Sequence, residues 1–454
     1  MSNAPVVINK TKSVCPVCFE PVEAAIVESE NKIYLDKCCP AHGNFKMLIS
    51  SHPDYYKKLS AYYLPLFPGN LRQHDYIIHL TNRCQLNCPI CMANANLCGT
   101  IDYPQKELSK FLKGKKGYKF DLMGAEPTMR EDLPEIIKMV EKSGNTSALH
   151  TNGVKIADFA YLKKLKKAGL RSVSLQFDGF DDLVYEKLRG QKLLEIKKQV
   201  LNNLRKANIA TNLVVTVARG VNEQEMFKVL QFALQNKYIQ GVFFLGYRFM
   251  GKARSLSAES CIMPDELIDI LEKQSLGKIS RKAIFNFQKL YFAFLAAFSI
   301  RRCFYIHHFL ITRSKNGYSP VDKILNLESI QKKLEKFSRL KLAKSRLALP
   351  YFILSISLWL LGGNLIFWLN ECFAIMFRRY KLANFHSKSI LIGFISSCDA
   401  YSFDSEIARN CGKGTVTVDL GVQDSGAINN IMADKIFVSE RNRRLNTPGD
   451  HFCV

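Results

Sequence analysis

The sequence predicts an α/β fold organised around a parallel sheet, and three observations lead to that prediction. Between residues 76 and 252, six short apolar runs alternate with longer amphipathic stretches, which is the order of a repeated strand–helix unit. The runs are apolar enough to be strands buried on both faces, as in parallel sheets covered by helices. Polar and glycine-containing motifs directly follow several runs, where the carboxyl ends of parallel strands gather functional groups. Six units are too few to close an eight-unit barrel, so the sequence indicates an open partial barrel.

The individual elements follow from this pattern. The predicted strands are Tyr76–Thr81, Tyr118–Met123, Ser147–Thr151, Ser172–Phe177, Leu213–Val217 and Val242–Leu245. Helical periodicity predicts helices between them, at Leu133–Glu141, Phe159–Ala168, Leu193–Lys206 and Glu223–Gln235. We place the barrel domain at residues 71–265, an N-terminal module at residues 1–70 and a C-terminal extension at residues 266–454.

The N-terminal module carries a pattern typical of a small metal site. Cys15-Pro-Val-Cys18 precedes Cys38-Cys39-Pro-Ala-His42-Gly43, and two short predicted strands, Ala24–Val27 and Lys32–Leu35, separate the two groups. The spacing predicts a mononuclear metal knuckle with Cys15, Cys18 and one of the two adjacent cysteines as ligands, of which we assign Cys39. The fourth ligand is the neighbouring cysteine, His42 or a residue from elsewhere. Zinc and a rubredoxin-like iron both suit the site, and a structural role is favoured over electron transfer. Asp54 to Gly69 is interpreted as a linker.

A second cysteine motif, Cys84-Gln-Leu-Asn-Cys88-Pro-Ile-Cys91, directly follows the first predicted barrel strand. Three thiolates at this spacing can bind one [4Fe-4S] cluster and leave its fourth iron open for a small molecule. The alternative is a zinc knuckle, which needs a fourth ligand. Cys98 is the nearest candidate, and the resulting spacing is unusual for zinc.

This motif resembles the signature of the radical S-adenosylmethionine (SAM) superfamily, and later motifs match it in order. The resemblance implies the open (β/α)6 partial TIM barrel of that superfamily and a [4Fe-4S] cluster on Cys84, Cys88 and Cys91. It also implies that the open iron chelates SAM, which one electron cleaves to a 5′-deoxyadenosyl radical. The N-terminal knuckle and the segment Tyr247–Ala253 are similar to those of a subgroup that includes relatives of archaeal tetraether lipid synthase and of a pterin-modifying methylase.

The same resemblance assigns residues that would bind SAM. Gly124-Ala125-Glu126-Pro127, after the second strand, is similar to the superfamily motif that meets the amino group of the SAM methionine. Asn152 and Asp178, after the third and fourth strands, resemble positions near the SAM ribose and the substrate. Because Asn-Gly and Asp-Gly are strong turn formers, a turn-forming role for both residues stays open.

The C-terminal extension is basic and in part strongly apolar. The whole chain has 64 Lys and Arg against 40 Asp and Glu, a net charge of +24, and residues 273–346 alone supply +14. Leu347 to Asn370 contains no charged residue, is long enough to span a bilayer and has basic residues on both sides. We expect it to contact the membrane, as a hairpin dipping into one leaflet or as a span. The alternative is a pair of helices buried against the barrel.

Further cysteines follow the apolar run. The segment from Cys398 to Cys411 resembles a C-terminal cysteine segment of the same subgroup, which implies an auxiliary iron–sulfur cluster there. His307 and His308 are interpreted as surface or packing residues, not ligands. The cysteine groupings indicate a reducing compartment, and Met1 to Lys12 has no apolar signal region, so we expect a cytoplasmic protein at the inner membrane face.

The resemblance and the composition together lead to an expected function. We expect a radical SAM enzyme that abstracts hydrogen from an unactivated carbon of a membrane lipid chain, with carbon–carbon bond formation or methylation as the outcome. Its expected partners are SAM, a small electron-donor protein, and an anionic membrane surface with its lipid substrate. One alternative is a radical SAM methylase or modifying enzyme of a pterin or a peptide. The other is a non-catalytic, zinc-bearing nucleic-acid binder, supported by the net charge; nucleic acid is disfavoured because the basic segment lies apart from both cysteine motifs.

Overall fold

The computed structural model describes residues 4–67, 73, 75–93, 95–96, 101–255, 260–314, 317–342, 347, 350–351, 354–355, 389–417, 420–423 and 425–445. The chain begins with a four-stranded antiparallel sheet in sequential order, formed by β1 (Val6–Val14), β2 (Pro21–Ser29), β3 (Lys32–Cys39) and β4 (Gly43–Ser50). The predicted hairpin is confirmed as β2 and β3. Both cysteine groups lie at its ends, so the hairpin register brings them together.

The interpretation of residues 54–69 as a linker is wrong. Helix α1 (Pro53–Leu66) occupies most of this segment, with a proline in its first turn and Pro65 in its last. Its buried face consists of Tyr55, Tyr56, Leu59 and Tyr63, spaced as on one side of a helix. Tyr63 is fully buried and stacks on Phe67. The tyrosines that suggested a turn-rich connection are instead the apolar face of a helix.

The second sheet has eleven strands in the order β12–β11–β13–β10–β9–β8–β7–β6–β5–β14–β15. Its strands are β5 (Asp75–His79), β6 (Lys119–Met123), β7 (Thr146–Thr151), β8 (Ser172–Gln176), β9 (Ala210–Val217), β10 (Ile239–Gly246), β11 (Ile306–Ser314), β12 (Gly317–Pro320), β13 (Ser389–Ser396), β14 (Gly414–Thr417) and β15 (Gly421–Gln423). The helices that accompany it are α2 (Gln105–Leu112), α3 (Leu133–Lys142), α4 (Phe159–Ala168), α5 (Asp182–Arg189), α6 (Leu194–Lys206), α7 (Met226–Gln235), α8 (Pro264–Gln274), α9 (Arg281–Ala297), α10 (Leu327–Leu342), α11 (Ser405–Ala408) and α12 (Gly426–Leu445).

The central strands β5 to β10 pair in parallel and in sequence order, which confirms the predicted α/β sheet. The C-terminal extension contributes more to this sheet than the sequence suggested. Strand β13 adds in parallel to β10 at one edge, and β14 adds in parallel to β5 at the other. Side chains from β5, β10 and β11 line one common cavity, so the sheet curls around its inner face as an open barrel.

Local signals set the ends of the barrel helices. The Asp158 carboxylate accepts from the Ala160 amide at the start of α4, and Gly169 ends that helix with φ +115°. Helix α5 follows the same plan, with Asp181 capping its start and Gly190 at φ +80° after its end. Each cap satisfies backbone groups that a helix terminus leaves unpaired, so strand-to-helix turns are short and fixed.

The segment before β14 joins the N-terminal sheet to the barrel. The Thr11 hydroxyl donates to Asp404 at 2.7 Å, and the buried Lys37 ammonium donates to the Ala400 carbonyl at 2.5 Å. On the barrel side, Asp399 forms an ion pair with Arg248, and both side chains are fully buried. The two folded modules therefore share a buried polar interface rather than a flexible connection.

The apolar run Leu347–Asn370 lies almost entirely outside the described residues. The expected membrane hairpin or span and its alternative, a pair of buried helices, both concern this run and therefore lie outside them as well. Across the helices that the structure describes, none has the length and hydropathy needed to cross a bilayer. His307 and His308 lie on β11 and are buried, so they are packing residues and not surface residues. Burial lowers the pKa of His307 to about 4.

Candidate metal and cofactor sites

The N-terminal knuckle brings four ligand atoms together. Cys15, Cys18, Cys39 and His42 have their sulfur and ring nitrogen atoms within 4.8 Å of one another. The Cys18 and Cys39 sulfurs are 3.9 Å apart, and His42 Nδ1 lies 3.6 Å from the Cys15 sulfur and 3.5 Å from that of Cys39. A tetrahedral zinc ion, with bonds of 2.3 Å to sulfur and 2.0–2.1 Å to nitrogen, needs separations of about 3.8 Å and about 3.6 Å. The geometry therefore matches a mononuclear tetrahedral site.

This geometry also selects between the ligands that the sequence left open. Cys38 is exposed and Cys39 is buried, because adjacent residues of β3 point to opposite sides. The side chain of His42 hydrogen-bonds Cys39, which lowers the pKa of that thiol. The residues present thus suit a zinc or iron ion held by three thiolates and one imidazole.

The Cys84–Cys91 loop leaves the carboxyl end of β5 and is held in place by its neighbours. The Cys84 amide donates to the Asn96 side-chain oxygen at 2.9 Å, and the Asn96 amide group donates back to the Cys84 carbonyl at 2.8 Å. Next to it, the Ala125 amide donates to the Thr81 carbonyl at 2.8 Å. The loop that carries the cysteines is therefore fixed against the turn that follows β6.

The three cysteines of this loop are arranged differently from those of the knuckle. Their sulfurs do not form a group within 4.8 Å, although all three residues are described. A single ion needs its ligands closer than this, whereas a cube of four irons takes them at separate corners. Donors approach two of the sulfurs, the Leu86 amide at 3.3 Å from Cys84 and the Ala95 amide at 3.5 Å from Cys91. Three thiolates on one loop are the type of donor that a [4Fe-4S] cluster takes.

The backbone of the Gly124–Pro127 turn requires a glycine at its first position. Gly124 has φ +133°, and a Cβ at that position would lie 2.4 Å from the Thr81 carbonyl oxygen. Glu126 is 1% exposed, and burial raises its pKa. Its Oε1 accepts from Thr128 and Thr151, while Oε2 accepts from the Asn152 amide at 2.7 Å. Glu126 thus joins the ends of β6 and β7, and pairing with the SAM ammonium stays a prediction for it.

Asp178 forms an ion pair with an arginine that was not identified from the sequence. Arg189, at the end of α5, donates to both oxygens of the fully buried Asp178, at 2.7 and 3.0 Å. The Thr216 amide donates to the same carboxylate at 3.0 Å. Burial raises the pKa of the Cys88 thiol, and the nearby guanidinium of Arg189 acts in the opposite direction. Asp178 therefore orients a cation beside one of the three cysteines, which goes beyond turn formation.

Asn152 lies next to the first cysteine, and a buried lysine supports it. Its side-chain nitrogen lies 3.6 Å from the Cys84 sulfur. Lys197 of α6 is fully buried and donates to the Asn152 carbonyl and to the Gln176 carbonyl and side-chain oxygen. Burial lowers the pKa of Lys197 to about 7. The sequence does contain a signal for this residue, because Lys197 occupies a position of the apolar face that Leu193, Val200 and Leu204 define.

Cys398 and Cys411, predicted to bind an auxiliary cluster, lie near a third cysteine. The side chains of Cys398 and Cys303 interact, which lowers the pKa of Cys303 and raises that of Cys398. Their positions bring them to one buried region at the start of β11 and β14. In the part of the chain that the structure describes, the knuckle alone gathers three or more ligand atoms within 4.8 Å. The auxiliary cluster stays a prediction.

The segment after β10 reaches the cysteine loop from the other side. The Lys252 amide donates to the Cys91 carbonyl at 3.1 Å, and its ammonium donates to the Asn87 side chain at 2.6 Å. The Gly251 amide donates to Asp434 of α12 at 3.0 Å. The Tyr247–Ala253 segment is therefore part of the support of the candidate cluster site.

Comparisons with known proteins agree with this geometry. Residues 78–233 match the family model of the radical SAM superfamily, and residues 7–51 match that of the HMPTM N-terminal zinc ribbon domain. A 7,8-dihydro-6-hydroxymethylpterin dimethyltransferase of Methanocaldococcus jannaschii is 36% identical over 306 residues, which are 60% of either chain. A probable GTP 3′,8-cyclase of Pyrococcus abyssi is 32% identical over 162 residues, 34% of this chain and 51% of that protein. The chain thus spans about half to three fifths of the length of these relatives.

Among solved structures, Streptococcus suis SuiB bound to the precursor peptide SuiA matches with a TM-score of 0.40 and 16% identity, covering 49% of either chain. Similarity at this level carries no argument about this chain. The family models thus support a radical SAM domain in residues 78–233 and a zinc ribbon in residues 7–51, where the four knuckle ligands lie.

Proposed function

We propose that this protein is a radical SAM enzyme that modifies an unactivated carbon of a small heteroaromatic molecule of the pterin class, with methylation as the outcome. The observation that supports it most is the loop of Cys84, Cys88 and Cys91, which is fixed at the carboxyl end of the sheet inside the segment that matches the radical SAM family model. The similarity to a pterin dimethyltransferase over 60% of the chain supports the substrate class.

A [4Fe-4S] cluster on these cysteines would supply one electron to the sulfonium of SAM, which releases methionine and yields 5′-deoxyadenosine after hydrogen abstraction from the substrate. The methyl group would come from a second molecule of SAM, which leaves as S-adenosylhomocysteine, and a second electron from the reductant would complete the product. The chain's own residues prepare this site. Gly124 keeps the turn beside the cluster free of a side chain, and Arg189 places a positive charge beside Cys88. Lys197 ties the ends of β7 and β8 together, which holds Asn152 at Cys84.

The first experiment tests the cluster. After anaerobic purification, each of the variants Cys84→Ser, Cys88→Ser and Cys91→Ser is expected to lose iron and sulfide and to form no 5′-deoxyadenosine from SAM and dithionite. Cys38→Ser, at an exposed cysteine, is the matched control and is expected to behave as wild type. Serine variants that keep both the iron and the cleavage of SAM would refute the proposal.

The second experiment tests the substrate class. Wild-type protein is incubated with SAM, dithionite and 6-hydroxymethyl-7,8-dihydropterin, and the products are analysed by mass spectrometry. The expected result is 5′-deoxyadenosine together with a pterin heavier by one or two methyl groups. If 5′-deoxyadenosine forms and the pterin mass never changes, the substrate class is wrong while the radical SAM chemistry stands.

A lipid chain is the second candidate substrate, because residues 347–370 contain no charged residue and lie between basic flanks. In this alternative, the extension docks on an anionic membrane and the mass shift appears in a total lipid extract. Deleting residues 345–379 is expected to release the protein from membranes. A full-length protein that is never found with the membrane fraction would exclude this candidate.

A further inference from the structure

The inner face of the curled sheet encloses a cavity of about 430 Å³. Inward-pointing strand residues such as Ser174 and Val214 line one wall, and Phe287, Tyr291 and Phe294 of α9 line the opposite wall. In closed (β/α)8 barrels, layers of branched side chains fill this volume. Pockets that bind small organic molecules have volumes in this range, so the cavity is large enough to be a ligand site.

The cavity lies directly beneath the candidate cofactor site. Ser174 and Gln176 are on the same face of β8, two residues apart, and Gln176 holds Lys197 at the level of the strand ends. Two residues of a strand span roughly 7 Å. His150, another lining residue, precedes the Thr151–Asn152 pair that contacts Glu126. The lining also includes Asp75, Lys119 and Thr146, the first residues of β5, β6 and β7, so a bound molecule would lie toward the amino ends of the strands, below the position where SAM is expected.

The lining holds three cationic and two anionic side chains, and burial lowers the pKa of Lys413 to about 7, so the excess positive charge at neutral pH is one or less. Lys119, Arg302 and Lys413 line the cavity on the cationic side, and Asp75 and Asp121 on the anionic side. The two lining histidines do not add to this charge at neutral pH, because burial lowers the pKa of His150 to about 3 and that of His308 well below its ordinary value. Enclosed charges are costly unless they are paired, so an uncompensated positive charge favours an anionic ligand.

Arg302 carries that uncompensated charge. Asp121 is 1% exposed and forms an ion pair with Lys413, with Lys119 at 3.5 Å from the same carboxylate. By contrast, the side-chain partners of the Arg302 guanidinium among the described residues are neutral groups, the Tyr291 hydroxyl at 3.1 Å and the His308 ring at 3.0 Å. Its buried Nε has no acceptor among the described residues. A guanidinium in this state is a ready partner for a carboxylate or a phosphate.

We propose that the cavity binds a small organic anion, whose flat or apolar body packs on α9 and whose single anionic group pairs with Arg302. The proposal goes beyond the proposed function, because it concerns a second ligand below the strand ends and not the molecule that is methylated. Binding needs neither the cluster nor SAM, so the two proposals can be tested separately.

The test measures binding by equilibrium dialysis in the absence of SAM, with two probes quantified by their own pterin fluorescence. 6-Carboxypterin carries a carboxylate, and 6-hydroxymethylpterin has the same ring system without one. Wild-type protein is expected to bind 6-carboxypterin at least 10-fold more tightly than 6-hydroxymethylpterin, because one charge-assisted hydrogen-bonded pair is worth about one to two factors of ten.

Two arginine variants separate the role of this guanidinium from that of general charge. Arg302→Gln is expected to weaken 6-carboxypterin binding at least 10-fold and to change 6-hydroxymethylpterin binding less than 3-fold. Arg301→Gln removes the same charge one residue away, outside the cavity lining, and is expected to leave both affinities unchanged. Zinc content, iron content and thermal midpoint are measured for every variant to confirm folding.

A third variant tests whether the ligand binds in this cavity, without changing the charge of the lining. Ser174→Phe places a ring in the cavity and is expected to abolish binding of both probes. The inference is overturned if wild-type protein binds neither probe or binds both equally, or if Ser174→Phe binds them as wild type does. Wild-type affinity for 6-carboxypterin in Arg302→Gln would also overturn it. None of these results bears on 5′-deoxyadenosine formation, so failure of this inference and failure of the proposed function remain distinguishable.

Discussion

The buried Lys197 offers the sharpest test of how the site is held together. Its ammonium makes three hydrogen bonds to main-chain and side-chain oxygens of Asn152 and Gln176, and no carboxylate is among those acceptors. The perturbation is Lys197→Met, which has similar length and no donor. Lys198→Met is the matched control, because Lys198 is exposed and forms only a surface pair with Glu195.

The magnitude follows from the pKa, which burial lowers from 10.5 to about 7. Between these two values the unfolded chain binds a proton on Lys197 that the folded chain does not hold, so stability rises as the pH rises. For one group, the increase from pH 7 to pH 9 is about 2 kcal/mol. The variant lacks this contribution. It also loses donors to buried acceptors, and each acceptor left unpaired costs about 1–3 kcal/mol.

The assay is urea unfolding under anaerobic conditions at pH 7 and pH 9, followed by far-UV circular dichroism. Wild-type protein is expected to be more stable than Lys197→Met at pH 9, and the difference is expected to shrink by about 2 kcal/mol at pH 7. Lys198→Met is expected to follow wild type at both values. If the difference between wild type and Lys197→Met is the same at pH 7 and pH 9, Lys197 does not titrate in this range and the reasoning is refuted.

Three further predictions concern other parts of the chain. Cys39→Ser is expected to lose the metal of the knuckle while Cys38→Ser retains it, as measured by elemental analysis; equal metal content in both would contradict the ligand assignment. Arg248→Met is expected to lower the free energy of unfolding by about 3–5 kcal/mol because it leaves the Asp399 charge buried, and adding Asp399→Asn is expected to recover much of the loss. A double variant less stable than Arg248→Met would argue against this account. Burial lowers the pKa of His307 to about 4, so His307 alone accounts for about 2 kcal/mol of the stability that wild type is expected to lose from pH 7 to pH 5, and His307→Gln is expected to lose about 2 kcal/mol less in the same urea titrations. Identical losses in the two proteins would show that His307 is not the titrating group.

The barrel strands could be predicted from the sequence because their signal is local. Each run is buried by its own helices, so a short apolar stretch is enough to mark it, as for Ser172–Gln176. The order of the motifs along these strands then predicted where the cysteines and Glu126 would meet. The elements of the extension could not be found in this way, because β13 and β14 are strands only through pairing with β10 and β5, more than 140 residues away in sequence.

The candidate site likewise contains residues with a local sequence signal and residues whose partners are distant in sequence. Cys84, Gly124 and Asn152 belong to motifs with fixed spacing, so the sequence alone marks them, and their roles toward the cluster and SAM stay predictions. Arg189 was not identified, because nothing in its local sequence shows that it pairs with Asp178 across a helix. The helix at Pro53–Leu66 was misjudged because its tyrosines and prolines resemble those of a turn, while their helical spacing was not considered.

The buried lysine that joins the zinc ribbon to the segment before β14 has a consequence for how the two metal centres depend on each other. Lys37 donates to Ala400, the neighbouring Asp399 pairs with Arg248, and the residues that follow Arg248 donate to the main chain of Cys91. If the knuckle holds zinc and the Cys84–Cys91 loop holds the proposed cluster, a shortage of zinc would affect more than the first fifty residues. Loss of the knuckle metal would loosen the contacts that lead to Cys91, so a lowered iron content of this protein would have a cause in the supply of a different metal.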